Sequence, residues 1–272
     1  MHEQAPDAVG SAPIVESLTG GGRTAVFRSG QMVLRQSGPW SPTVIALLRH
    51  LEAVGYSYSP RVVGEGLDEN GMETLSFIPG EFMHPGPWTL DGVAAVGAML
   101  RDLHRATASF VPPPGAVWRT WFGRSLGHGR RVIGHCDAAP WNIVSQGGLP
   151  VALIDWETAG PVNPLVELAQ AVWLNAQLHD DIVAARVGLP PLAERARQFR
   201  AIVDAYGLTA QQRRGFLDQI VEFVVFDTAE QADEAGVMPE TVSTTALWGL
   251  AWRARAGAWI LRNRLTFGSA LA

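Results

Sequence analysis

The sequence predicts an α+β chain in two parts, a small antiparallel-sheet unit followed by a larger, mainly helical one. Three observations predict it. The first 80 residues alternate short β-type runs with one apolar-striped helix, Pro79-Gly80 interrupts that pattern, and apolar residues recur at helical spacing beyond it. The composition, 47% hydrophobic and 17% charged over 272 residues, is enough to bury a sizeable core.

Residues 1–13 are polar and read as a loose tail. After Gly20-Gly21-Gly22 come two β-type runs, Thr24 to Arg28 and Met32 to Arg35, parted by Ser29-Gly30, which predicts a hairpin. Ser41-Pro42 opens a helix, with serine as the cap and proline in the first turn. Val44, Leu47, Leu48 and Leu51 form its apolar stripe, and Gly55 stops it. A second hairpin joins Arg61 to Val63 with Glu73 to Ile78 through Asp68-Glu69-Asn70-Gly71. Beyond the Pro79-Gly80 hinge, Thr89 to Ala106 carries Val93, Val96, Leu100 and Leu103 at helical spacing. Ile143 to Ser145 and Val151 to Ile154, joined through Gly147-Gly148, predict a third hairpin. Helices are expected over 164–179, 193–206, 210–235 and 241–262, the third opened by a Thr209–Gln212 capping box.

All 21 basic side chains are arginine, and lysine is absent. That excludes Schiff-base lysine chemistry, a lysine general base and a Walker A loop. A net charge of −5 argues against a nucleic-acid partner, whose footprint would be basic and clustered. A single cysteine, Cys136, excludes an intrachain disulfide and a cysteine-based zinc site, and fits a reducing compartment. The first residues lack the apolar core of a signal peptide, and Arg253 and Arg255 interrupt the longest apolar candidate, Leu247 to Leu261. A cytoplasmic chain with no membrane partner is expected, as a monomer or weak dimer.

The densest chemical signal is His135-Cys136-Asp137-Ala138-Ala139-Pro140-Trp141-Asn142, followed by Ile154-Asp155-Trp156-Glu157. Asn142 lies five positions after Asp137 (142−137), and Asp155 thirteen after Asn142 (155−142). The third hairpin fills the longer gap and can return Asp155 to the side of Asn142. An amide oxygen and a carboxylate make a hard-oxygen site suited to Mg²⁺, which leaves Asp137 to accept a proton from an incoming hydroxyl. The arrangement matches the H-x-D-x-x-x-x-N loop and metal aspartate of phosphoryl transfer.

On these residues the chain resembles the aminoglycoside phosphotransferase family of small-molecule kinases, related to choline kinases and to the protein-kinase-like fold. The resemblance extends from about Leu18 to Leu261 and is motif-strong from His135 to Leu168. It implies an N-terminal nucleotide-binding lobe over 1–79 and a C-terminal catalytic and substrate-binding lobe over 80–272. It also implies Asp137 as the catalytic residue, Asn142 and Asp155 as metal ligands, and ATP with Mg²⁺ as cofactors, with GTP left open as the donor. The glycine turn at Gly21 and Gly22 would cover the nucleotide, and backbone groups around Phe77 and Ile78 would meet adenine. His135 reads as a supporting hydrogen-bonder. Glu157 reads as a carboxylate near the metal or as an exposed side chain. The family's Asp-Leu-Ala after the metal motif is Glu167-Leu168-Ala169 here.

Two positions depart from the pattern. The phosphate-gripping strand lysine is Arg35, which keeps the charge with a different geometry. The helix glutamate that should pair with it falls on Val44, so the usual ion pair is expected to be missing. Seven acids and no base lie between Arg214 and Arg253, and Asp227, Glu230 and Glu234 share a helix face. They read as a subsite for a cationic acceptor or as a solvated helix face.

The leading reading is an ATP-dependent phosphotransferase acting on a hydroxyl of a small molecule: an aminoglycoside-like antibiotic, an amino alcohol or a sugar. Its rivals are a nucleotide-binding pseudokinase with a regulatory role, motivated by Arg35 and Val44, and a hydrolase built on His135 and Cys136.

Overall fold

The run from Val26 to Gln36 folds back at Gly30, whose φ of +62° lies where glycine carries no steric cost, giving β2 (Val26–Ser29) and β3 (Met32–Gln36). The computed structural model describes residues 15–18 and 25–272. Among these residues β2 and β3 sit in a five-stranded antiparallel sheet, order β1-β2-β3-β5-β4, with β1 (Val15–Ser17), β4 (Val62–Leu67) and β5 (Met72–Ser76). The sequence predicts four of these strands. β1 is an addition, a three-residue edge strand whose Val-Glu-Ser sequence has no apolar alternation to announce it.

Between β3 and β4 runs α1 (Ser41–Ala53), and its predicted stripe of Val44, Leu47, Leu48 and Leu51 is buried. Its cap differs from expectation. Trp40 occupies the cap position without a side-chain hydrogen bond, and Ser41 lies inside the first turn. The Ser41 hydroxyl accepts the Gly38 N–H at 2.8 Å and donates to Glu73 instead.

After β5 the chain forms β6 (Glu81–Phe82) and α2 (Leu90–Ala106), the latter capped by Thr89, whose hydroxyl accepts the Gly92 N–H. Next come β7 (Val132–Gly134), the hairpin β8 (Ile143–Gln146) and β9 (Leu149–Leu153), and β10 (Gly160–Val162). β6 adds to the hairpin, and β10 pairs with β7. The helices that follow are α3 (Pro164–Asn175), α4 (Asp181–Val187), α5 (Leu192–Tyr206), α6 (Ala210–Arg213), α7 (Phe216–Glu234), α8 (Thr244–Arg262) and α9 (Arg264–Leu271).

The single helix expected over 210–235 is therefore two, broken at Arg214-Gly215 where Gly215 takes φ +84°. The Thr209–Gln212 capping box is present at the head of the first. The helix expected to reach 179 stops at Asn175, whose side chain donates to the Ala138 and Ala171 carbonyls and accepts from the Trp88 indole.

One core joins the two parts. The α1 stripe shares it with Val96, Leu100 and Leu103 of α2, Leu168 and Val172 of α3, Phe199 of α5 and Phe223 of α7. No helix among the described residues is long and apolar enough to cross a membrane.

Candidate active site

β7 delivers the chain to the loop that opens at Gly134. A side chain there would collide with the Glu167 carboxylate and Val162, so glycine is what allows α3 to present Glu167 to this loop. Among the described residues three non-glycine residues have positive φ, and two belong to the motif: Cys136 at +64° and Asp155 at +62°. Such conformations persist only where surrounding contacts hold them. At Cys136 the contact is Glu167, whose Oε1 accepts the Cys136 N–H at 2.7 Å. Glu167 Oε2 lies 2.6 Å from His104 Nε2, and His104 Nδ1 lies 2.7 Å from the Tyr206 hydroxyl. Burial alone would raise the Glu167 pKa, yet His104 and the Cys136 N–H hold it below its usual value.

His135 is fully buried and ties the two motif segments together. Its Nδ1 accepts the Asp137 N–H at 3.2 Å, so Nε2 carries the proton and donates to the Ile154 carbonyl at 2.8 Å. Burial lowers its pKa and keeps the ring neutral. The Cys136 thiol is pushed well up by burial, and the His135 nitrogens are both engaged elsewhere, so no activated Cys–His pair exists.

The Asn142 amide donates to the Asp137 carbonyl at 3.0 Å and to Asp137 Oδ2 at 2.8 Å, and Gln170 of α3 donates to Oδ1 at 3.3 Å. With its nitrogen spent on Asp137, Asn142 has only its amide oxygen left with which a cation could be ligated. The Ile154 N–H donates to the Asn142 carbonyl at 2.9 Å, which brings Asp155 alongside. Asp155 Oδ1 is buried and accepts no aligned hydrogen bond, although Arg35 Nη2 lies 2.7 Å away. No cluster of three or more His, Cys, Asp or Glu side chains is arranged for a metal among the described residues. An amide oxygen and a carboxylate fit Mg²⁺, which takes few protein ligands and completes its shell with water and phosphate.

Arg35 reaches this turn from β3. It is buried, and it pairs with Asp155 and with Glu157 Oε2. Val44 is in the core, so α1 sends no carboxylate to Arg35. The charge is neutralised from Asp155 and Glu157, and Glu73 stands opposite Arg35 in the β3–β5 register. Burial raises the Glu73 pKa against the opposing effect of Ser41 and Arg35. The second oxygen of Glu157 accepts Arg119.

A cavity of about 610 Å³ joins these groups: Arg35, Arg119, Asp137, Asn142, Asp155 and Glu157 line it. Asp227, Glu230 and Glu234 of α7 line the same cavity, with Trp141, Trp173 and Trp252. Asp227 is paired with Arg253 at 2.5 Å. Burial and the neighbouring Glu234, Asp233 and Asp227 raise the Glu230 pKa. Phe77 and Ile78 are not part of this lining, and the Ser76 and Phe77 N–H groups are spent on Arg61 and Gln31 carbonyls. Gly21 and Gly22 lie outside the described residues.

The motif reading missed three contributors. Arg119 joins Glu157, Gln170 joins Asp137, and Arg124 clamps the Thr158, Ala159 and Pro161 carbonyls. None belongs to a motif.

A small antiparallel sheet, a larger helical part, and a loop bearing Asp137 and Asn142 beside the Asp155 turn together define a phosphotransferase of the protein-kinase-like fold. The model of the phosphotransferase enzyme family APH matches residues 114–217. The trifolitoxin immunity protein of Rhizobium leguminosarum bv. trifolii is 59% identical over 255 residues, covering 94% of this chain and 98% of that protein. An amicoumacin kinase, solved in complex with AMP-PNP and Ca²⁺, superposes with a TM-score of 0.68 at 14% identity, covering 90% of this chain and 88% of that one. A microcompartment-associated aminopropanol kinase gives 0.66 at 16% identity, covering 96% and 95%. The chain belongs to the APH phosphotransferase family.

Proposed function

We propose that the protein transfers the γ-phosphoryl group of ATP to a hydroxyl of a small molecule, with Asp137 as the proton acceptor. The observation that carries this reading is the Asp137 carboxylate, held by the Asn142 and Gln170 amides in the cavity that also contains Asp155 and Arg35. The acceptor hydroxyl gives its proton to Asp137 as its oxygen attacks the γ-phosphorus, the bond to the bridging oxygen breaks and ADP leaves, and Arg35 balances charge on the phosphate oxygens. Asn142 and Asp155 would hold Mg²⁺, which when bound supplies neutralising charge at the phosphates. Most of the acceleration then comes from positioning and fixed charge.

The acceptor side of the cavity carries Asp227, Glu230 and Glu234 with three indoles, which favours a cationic acceptor. Arg253 offsets part of this charge at Asp227. The name of the 59%-identical relative favours an antibiotic toxin over a metabolite as the acceptor. Phosphorylation would then be the act that confers immunity.

The test is transfer of labelled phosphate from γ-labelled ATP, with and without Mg²⁺, to a panel of hydroxylated cationic antibiotics and, separately, to trifolitoxin. Asp137→Asn is expected to lose about 10²–10⁴ in kcat while still binding nucleotide. A variant that turns over like wild type sinks the role of Asp137. Nucleotide binding with no product from any acceptor would favour the regulatory reading.

A further inference from the structure

Arg35 alone is poorly placed to grip a phosphate. Its side chain is only 9% exposed, and both Asp155 and Glu157 already hold it. Arg119 lies on the same cavity wall, is 28% exposed, and shares the other oxygen of Glu157. The Trp40 ring lies 5.0 Å from its guanidinium carbon. Arg124 donates to the Arg119 carbonyl at 2.9 Å and to the Thr158 carbonyl at 2.7 Å, so the backbone of residue 119 is tied to the turn that carries Glu157. Glu157, 12% exposed, therefore spaces two guanidinium groups at a fixed separation.

We propose that Arg119 is a second phosphate-binding arginine of the donor site, and that Glu157 is the positioning carboxylate that aligns it with Arg35. The inference rests on the donor-site reading above. Arg35 and Arg119 together bring two guanidinium groups to the one carboxylate, Glu157, that both of them share. A guanidinium has five N–H donors, so a bond to Glu157 leaves Arg119 donors for an anion. Arg119 is the more exposed of the two, 28% against 9%, and is held by one carboxylate where Arg35 is held by two.

Calorimetry on the full chain with Mg²⁺ compares AMP-PNP with AMP, which lacks the β- and γ-phosphates. Arg119→Gln is expected to weaken AMP-PNP binding about tenfold or more and leave AMP unchanged, since a charge-assisted hydrogen bond is lost only with the longer ligand. Arg119→Lys should recover part of the loss. Should Arg119→Gln fail to fold in a thermal scan, the AMP-PNP to AMP affinity ratio of Arg119→Lys carries the comparison. Glu157→Gln is expected to lower kcat for ATP turnover with KM for ATP unchanged or lower, because it removes alignment along with a repelling charge. Equal effects on AMP and AMP-PNP, or none on either, would overturn the role of Arg119. A raised KM at unchanged kcat would overturn that of Glu157. Wild-type protein that binds no AMP-PNP would overturn the donor-site reading itself.

Discussion

Glu167 is fully buried, and two donors converge on it, the Cys136 N–H at 2.7 Å and His104 Nε2 at 2.6 Å. Removing the carboxylate would leave both groups buried without a partner and free a left-handed residue beside Asp137. Glu167→Ala is expected to cost about 3 kcal/mol in chemical denaturation and most of the turnover. Glu167→Gln keeps an oxygen for the Cys136 N–H and should lose less of both. Equal stability of the alanine variant and wild type would remove Glu167 as the anchor of the loop. In the sequence this residue registers only as a glutamate where the family has aspartate. Asp137, Asn142 and Asp155 were legible because their spacings of five and thirteen are short enough to form a pattern. Arg119 and Glu157 are 38 positions apart, Arg35 and Glu157 122 apart, and no local pattern records such pairs. For the same reason the absence of a glutamate at Val44 was legible, while its replacement by Glu157 was not.

α2 and α5 meet at Gly97, where an added Cβ would overlap the Ile202 carbonyl oxygen. The backbone of α5 cannot yield there without moving Phe199, Ile202 and Val203, all buried in the shared core. Gly97→Ala, which would favour an isolated helix by roughly 1 kcal/mol, should instead destabilise the protein by about 1–3 kcal/mol. A thermal scan that shows a raised Tm would contradict the close packing of these helices. The apolar spacing of α2 was plain in the sequence, since Val93, Val96, Leu100 and Leu103 lie on one face and are all buried. Element ends were harder to read. The break before α7 depends on Gly215, a single residue inside an otherwise continuous helical pattern. α4 is capped by Asp180, whose side chain accepts the Val183 N–H at 3.0 Å, but the turn before it needs Gln177 at φ +49°, which the residue type does not announce.

At the scale of the molecule, arginine supplies every permanent positive charge, so stability against pH is governed by histidines and carboxylates. His179 has the largest consequence. It packs against Trp252 at 4.8 Å and edge-on to Trp173 at 6.4 Å, its Nδ1 is buried without a hydrogen-bond partner, and Arg195 donates to its backbone carbonyl at 2.5 Å. Burial, then the charges of Arg195 and His84, lower its pKa to about 3. An unfolded histidine titrates near 6.5. Between those values the unfolded chain binds a proton that the folded chain refuses, so stability falls as pH drops below about 6.5. His135, also lowered by burial, pulls in the same direction, as does Glu167 at lower pH, whereas the raised pKa of Glu73 opposes them. At about 1.4 kcal/mol per pH unit, His179 alone should remove about 2 kcal/mol between pH 7 and pH 5. His179→Phe keeps an aromatic ring against Trp252 and cannot titrate. Urea denaturation of both proteins across that range should show the variant losing about 2 kcal/mol less than wild type. Parallel pH profiles would mean that His179 accepts its proton in the folded state, and that its site is open to water.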